Sequence, residues 1–223
     1  MKPAVRLHSM QIIPASPQAL KEAVSTLKRG GIVAHATETC YGFACDLTNL
    51  EAVEKLFALK KRPADQPVSA LFPSVEEAKK YVKWTDEAEE LAGRYLPGPL
   101  TLILPMRSDA PMVLFPTVPK SQVPSPKSSL GIRISSYPFA ADLAKRFDKP
   151  LSTTSANLHG QRNPYSVEEI ANQFRSEKLQ PDFIIDSGKL PPNPPSTVID
   201  LTAGGTVRRK GMLKKMTRQK IDL

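Results

Sequence analysis

Apolar residues recur along this chain at two periods, and the switches between them predict its elements. Leu20, Ala23, Val24 and Leu27 share one face of a helix, which opens at Ser16–Pro17 as N-cap and first helical residue and closes at Gly30–Gly31. Residues 32–34 read as a short buried strand that runs into a polar, hydroxyl-rich turn over 35–42. A second helix carries Ala52, Val53, Leu56 and Leu59 and ends at Lys60, because Pro63 prevents its continuation. Residues 68–72 form a strand. Ser74 with Glu77 is a capping box for a helix to about residue 82, and 86–95 is another helix, closed by Pro97–Gly98–Pro99. Strands at 101–104 and 130–135, a helix at 138–147 and a strand at 151–153 follow. The capping box Ser166/Glu169 starts a helix to about residue 175, and strands at 183–186, 197–201 and 206–209 complete the pattern. Strands alternating with helices predict an α/β sheet protein. One segment follows neither period: 105–129 holds six prolines and several serines and reads as a mobile lid or a disordered insertion.

Composition narrows the class without naming a function. The chain has 223 residues with 40% hydrophobic and 24% charged content, which suits one large domain with a sizeable core. No apolar run is long enough to span a bilayer, and the first residues carry no apolar stretch followed by a small-residue cleavage site. Cys40 and Cys45 are too few for a disulfide framework or a zinc site, so a reduced, cytoplasmic protein is the expectation. The net charge of +9 points to an anionic partner such as nucleic acid, nucleotide or phosphate. The excess is uneven. Seven Lys/Arg against one Asp fall in 206–223, so a basic tail over 212–223 is set apart from the domain.

Candidate chemistry appears as scattered polar residues rather than a ready motif. There is no Walker-type G-x-x-x-x-G-K-[ST], no G-x-G-x-x-G and no G-x-S-x-G, and His8, His35 and His159 are dispersed. Lys60-Lys61-Arg62-Pro63 crowds three cations at a helix end. Cations there complement the helix dipole; a lysine and an arginine two residues apart also suit a phosphate chain. Thr37, Glu38, Thr39 and Tyr41 follow one strand, Ser155 and Asn157 another, Arg133 lies within a third, Ser196 begins a fourth and Arg209 ends a fifth. In α/β folds, sites gather where strand ends open onto loops.

Taken together, Gly30-Gly-Ile-Val-Ala-His-Ala-Thr-Glu-Thr-Cys-Tyr-Gly42, Lys60-Lys-Arg-Pro63, Pro97-Gly-Pro-Leu-Thr101, Ser155-Ala-Asn157, Ser196-Thr-Val-Ile-Asp200 and Arg209-Lys-Gly211 resemble, in order and spacing, the YrdC/TsaC family of threonylcarbamoyl-AMP synthases. The resemblance runs from about Ser16 to Gly211. It implies a twisted open mixed sheet flanked by helices around a basic concave cavity, with a catalytic domain over 16–211. It implies a nucleotidyltransferase that makes threonylcarbamoyl-AMP and pyrophosphate from L-threonine, bicarbonate and ATP with Mg2+. A partner transferase complex would then complete the N6-threonylcarbamoyladenosine modification of tRNA.

The resemblance also implies roles. Lys60, Arg62, Ser155 and Asn157 would be catalytic, with Lys60 and Arg62 facing the phosphates and Lys61 left to solvent. Gln66, Ser129, Asn163 and Arg209 would join them in binding ATP. Thr39, Arg133, Thr153 and Ser196 would bind threonine, the Arg133 fork taking its carboxylate. The chain departs from the family pattern at Ala36, Cys40, Leu71, His159 and Pro195, the last beside Ser196. Three other readings remain: an RNA-binding module using the basic tail, a carbamoyl-transfer enzyme of hydrogenase maturation, and a divergent paralogue with another substrate.

Overall fold

The structure, a computed structural model, describes residues 10–117, 129–202 and 204–213. Chain order is β1 (Gln11–Pro14), α1 (Pro17–Lys28), β2 (Val33–Ala36), β3 (Tyr41–Ala44), α2 (Leu50–Lys60), β4 (Ser69–Leu71), α3 (Val75–Lys79), α4 (Asp86–Tyr95), β5 (Leu100–Pro105), β6 (Ser129–Arg133), α5 (Pro138–Phe147), β7 (Leu151–Ser155), α6 (Val167–Phe174), β8 (Phe183–Asp186), β9 (Thr197–Asp200) and β10 (Thr206–Arg209). Local chemistry sets most helix starts. Ser16, Ser74 and Ser166 each accept an amide three residues on, at 3.1, 3.3 and 3.3 Å. At the last cap the Glu169 carboxylate reaches the Tyr165 amide at 2.7 Å, one residue further out than a strict capping box would place it. α2 ends because Lys61 adopts a left-handed C-cap with φ 53°, two residues before Pro63.

The strands form one open mixed sheet in the order β1-β8-β2-β3-β7-β4-β6-β5-β9-β10. β7 joins its halves. Its last residues pair antiparallel with β3, through Phe43↔Thr154 and Gly42↔Ser155, and its first three pair antiparallel with β4, from Leu71↔Leu151 to Ser69↔Thr153.

Side-chain alternation gives the sheet two unlike faces. One packs on α2, α3, α4 and α6 through a large core that includes Phe43, Leu56, Leu102, Ile132 and Phe174. The other is covered by α1 and α5 only over part of its width, through Leu20, Val33, Leu143, Leu151 and Phe183. That cluster reaches Leu71 of β4, and beyond it the polar positions of β4, β5, β6 and β9 look into a cavity.

Two strands depart from the expected elements. β1 was not anticipated; it pairs parallel with β8 at the sheet edge. β3 falls inside the segment 35–42 and beyond it, where a polar turn was expected. β2 and β3 instead form a hairpin, and only 37–40 is turn. Four-residue strands are too short to show a period, and Gly42 interrupts this one. The helix expected to run to about residue 82 stops at Lys79, since Val82 bridges to Met106.

The segment 105–129 divides. Its first part packs down: Leu114 is buried, Phe115 donates its amide to the Leu47 carbonyl at 2.9 Å, and the Val68 amide reaches the Pro116 carbonyl at 2.8 Å. Residues 106–117 are therefore not a disordered insertion. Residues 118–128 and the basic tail beyond 213 lie outside the described residues, as does His8. Among the described residues, no helix is long and apolar enough to cross a membrane.

Candidate active site

The polar strand positions enclose a cavity of about 450 Å³. β6 contributes Ser129, Gly131 and Arg133, β7 Thr153 to Ser155, β5 Thr101 and Ile103, and β9 Val198 and Asp200. Residues from loops and edges complete it: Thr39 of the hairpin turn, Arg62 after α2, Asn163, Ser196 and, from the edge strand β10, Arg209. Three guanidinium groups thus converge on one hydroxyl-rich surface.

Each cation is held differently. Arg62 donates from Nε to the Gln66 carbonyl at 2.9 Å and from one terminal nitrogen to the Pro67 carbonyl at 2.9 Å, which fixes the fork and leaves its other N–H groups for a ligand. Partial burial lowers its pKa from the usual guanidinium range. Arg209 donates from Nε to the Ser196 carbonyl at 3.0 Å and from a terminal nitrogen to Ser196 Oγ at 2.9 Å. Burial and the nearby Arg133 lower its pKa too. These neighbouring like charges are a standing attraction for an anion. Arg133 pairs with the Glu38 carboxylate, which also takes the Ser135 hydroxyl. Glu38 is not on the cavity wall, so it grips Arg133 from behind. The Arg133 Nε is buried and has no hydrogen-bond partner among the described residues.

Lys60 stands apart. Its side chain is buried, and Nζ lies 2.5 Å from the Ser155 carbonyl, 2.7 Å from the Asn157 carbonyl and 3.3 Å from Asn157 Oδ1. Burial and then Arg62 pull Lys60 down to about 7, while three oxygen acceptors hold its charged form. Asn157 is equally engaged: Oδ1 accepts the Ser155 hydroxyl at 2.5 Å and Nδ2 donates to the Gln161 carbonyl at 2.6 Å. Neither Lys60 nor Asn157, both expected to face phosphates, is among the residues that line the cavity. Both lie behind the wall, because the Lys60 ammonium finds a complete oxygen cage at the end of β7. Lys60 fixes Ser155, which does line the cavity. Gln66 offers the wall nothing from its side chain, which is exposed; its carbonyl holds Arg62. Lys61 points away from the site and pairs with Glu177 at 2.8 Å, so it is exposed but not merely solvated.

The turn carrying Thr39 is built by Thr37, whose hydroxyl donates to the Cys40 carbonyl at 2.7 Å and accepts the Thr39 and Cys40 amides. The Thr39 hydroxyl, 3.0 Å from that of Thr37, is left to donate to it. Burial pushes the Cys40 thiol up, which makes it a poor nucleophile.

Thr101, Gly131, Val198 and Asp200 were missed as wall residues. Their signal was strand alternation in 101–104, 129–133 and 196–200, where every second residue faces the cavity. Gly131 matters for its missing side chain: a Cβ there would lie 2.4 Å from Ser69 Oγ and 3.3 Å from Thr101 Cγ2, filling the floor. Among the described residues, no group of three or more His, Cys, Asp or Glu could hold a metal.

A family model described as telomere recombination, which joins the Sua5, YciO and YrdC proteins, matches residues 25–211. The chain belongs to the Sua5/YciO/YrdC family. Within that family, the threonylcarbamoyl-AMP synthase of Vibrio vulnificus is 30% identical over 161 residues, 71% of this chain and 82% of its own. The crystal structure of P. abyssi Sua5 complexed with L-threonine matches with a TM-score of 0.76 and 30% identity, over 91% of this chain and 57% of the longer Sua5 chain. The crystal structure of E. coli YciO matches with a TM-score of 0.75 and 27% identity, over 92% of this chain and 96% of its own. The Sua5/YciO/YrdC fold is thus the mixed open sheet described above.

Proposed function

We propose that this protein is a threonylcarbamoyl-AMP synthase, joining L-threonine, bicarbonate and ATP with release of pyrophosphate. The observation that carries this reading is the convergence of Arg62, Arg133 and Arg209 on one hydroxyl-lined cavity, in a chain whose family relatives bear that name.

The chemistry asks for positioning and charge stabilisation rather than a nucleophilic side chain. The threonine amine combines with bicarbonate or CO2 to give a carbamate. A carbamate oxygen then attacks the α-phosphorus, a new P–O bond forms, and the bond to pyrophosphate breaks. Arg62 and Arg209, with Ser155 and Asn163, suit the triphosphate. Arg133, gripped from behind by Glu38 and with Nε uncommitted, suits the threonine carboxylate; Thr39, Thr153 and Ser196 lie on the same wall. Lys60 and Asn157 act as supports for Ser155. The wall offers magnesium a few hydroxyl and carboxylate oxygens rather than a cage, which suits an ion carried in on ATP. It would supply charge neutralisation on the departing pyrophosphate.

The catalytic unit in this reading spans 16–211. The product would pass to a tRNA-modifying transferase, with the +9 net charge available for contact with tRNA. Incubation with ATP, bicarbonate and threonine should release pyrophosphate only when threonine is present. Threonine-independent release, or none from a folded sample, would overturn the reading and favour a paralogue with another substrate.

A further inference from the structure

β10 pairs antiparallel with β9 through Thr206↔Asp200, Val207↔Ile199 and Arg209↔Val198. Arg208 has no place in that ladder; it is the extra residue of a β-bulge. In an unbroken ladder Arg208 would stand opposite Val198 and Arg209 opposite Thr197, and their side chains would take opposite faces of the sheet. Here both arginines reach residues of the cavity wall. Arg208 donates from Nε and a terminal nitrogen to Asp200 Oδ2 at 3.0 and 2.9 Å, while Arg209 holds Ser196. Asp200 and Ser196 both line the cavity.

Asp200 is the one carboxylate among the described lining residues. Thr202 fills its Oδ1 with an amide at 2.9 Å and a hydroxyl at 2.6 Å. Burial works to raise its pKa, but Thr202 and Arg208 together hold it below the usual carboxylate range, so Asp200 is charged at neutral pH. A negative charge on this wall opposes a polyanion. It lies two residues along β9 from Val198, the partner of Arg209, which is roughly 7 Å and inside the screening length of about 10 Å at moderate salt. Left bare, it would repel a triphosphate and compete with Ser196 for the Arg209 guanidinium. Arg208 itself is not a lining residue, and its side chain is 60% exposed.

We infer that Arg208 is a positioning residue for the nucleotide site: it neutralises Asp200 and so leaves Arg209 to the anion, without touching the nucleotide. This rests on the synthase reading in taking ATP as that anion. The bulge makes the division of labour possible, because two consecutive residues of a regular strand cannot serve one face. The charge a ligand meets on this wall therefore depends on a residue outside it.

The test is the calorimetric Kd for ATP with magnesium, measured alongside pyrophosphate release in the full chain and its variants. Arg208→Ala should weaken ATP binding by about fivefold or more. Arg208→Gln, which keeps a donor for Asp200 but no charge, should weaken it similarly, an arm that stands if the alanine variant fails to fold. Arg208→Lys should recover most of the loss. Asp200→Asn should bind ATP more tightly than the parent, because Arg208 is then an unpaired cation. The double variant Asp200→Asn/Arg208→Ala should return to within about twofold of the parent. A direct phosphate contact by Arg208 would leave the double variant as weak as Arg208→Ala, and a purely structural clasp would make Asp200→Asn weaken binding too; either result would overturn the inference. No ATP binding by the unaltered protein would overturn it together with the synthase reading. The expected order of Kd values without threonine-dependent pyrophosphate release would overturn the synthase reading alone.

Discussion

Lys60 and Asn157 meet behind the cavity wall, with the Lys60 ammonium 2.7 Å from the Asn157 carbonyl and 3.3 Å from its Oδ1. The contact ties the end of α2 to the turn after β7, and so sets where Ser155 stands. Lys60→Ala takes the ammonium donor from two buried carbonyls, of Ser155 and Asn157, and leaves Asn157 Oδ1 with the Ser155 hydroxyl alone. The expected outcome is a loss of about 3 kcal/mol in unfolding free energy together with a fall in kcat of at least tenfold, about 1.4 kcal/mol of transition-state stabilisation. Urea unfolding alongside the pyrophosphate assay checks both. An unchanged unfolding midpoint would mean that the cage has no structural role.

Arg62 should behave in the opposite way. Its carbonyl partners, Gln66 and Pro67, sit in an exposed loop where water can replace it. Arg62→Ala is expected to leave stability within about 0.5 kcal/mol and to cost at least tenfold in kcat/KM for ATP. Wild-type kinetics in this variant would return Arg62 to the role of an ordinary helix-end cation.

Gly131 keeps the floor open. Gly131→Val places methyl groups between Ser69 and Thr101, where even a Cβ would be 3.1 Å from Ser69 Cβ. Overpacking of this kind costs about 1–3 kcal/mol. The KM for threonine is expected to rise more than tenfold with the circular dichroism spectrum preserved. If threonine saturates the variant as it does the parent, the floor is not part of the site.

His35 gives the protein an acid-sensitive core. It is fully buried on the α1/α5 face of β2, donates from Nδ1 to the Ala36 carbonyl at 3.0 Å, and has no partner for Nε2 among the described residues. Burial lowers its pKa from 6.5 to about 4, opposed by the Ala36 hydrogen bond and Glu38. Between those values the unfolded chain takes up a proton that the folded protein refuses. Stability therefore falls as pH drops from about 6.5 to 4, by on the order of 3 kcal/mol at the lower end. Unfolding free energies measured at pH 7 and pH 4.5 should show this decline, and His35→Phe should flatten it. An identical decline in the variant would place the acid sensitivity elsewhere.

Much of the architecture was legible because it depends on neighbours in sequence. Ser16, Ser74 and Ser166 announce helices through the amides three residues on, and the apolar periods mark the faces that helices bury. The short strands β1 and β3 were not legible, since four residues carry too little pattern and their pairing partners lie far along the chain. Of the candidate site residues, those that converge on the wall are Arg62, Arg133, Arg209, Ser155, Ser129, Asn163, Thr39, Thr153 and Ser196. Lys60, Asn157 and Gln66 were placed on it by motif and lie off it by geometry.

By itself the sequence determined the inventory: a family pattern over nearly the whole chain, a surplus of cations, hydroxyls at strand ends and an α/β succession of elements. The tertiary structure alone decided which of these face one another. Alternation says that a strand has two faces, but not which one a helix will cover. That depends on the α1 and α5 cluster reaching Leu71 of β4 and leaving β6, β5 and β9 uncovered. Only then do Thr101 and Ser196, 95 residues apart, share a hydrogen bond, and only then does one of two neighbouring cations turn inward to β7 while the other opens onto the cavity.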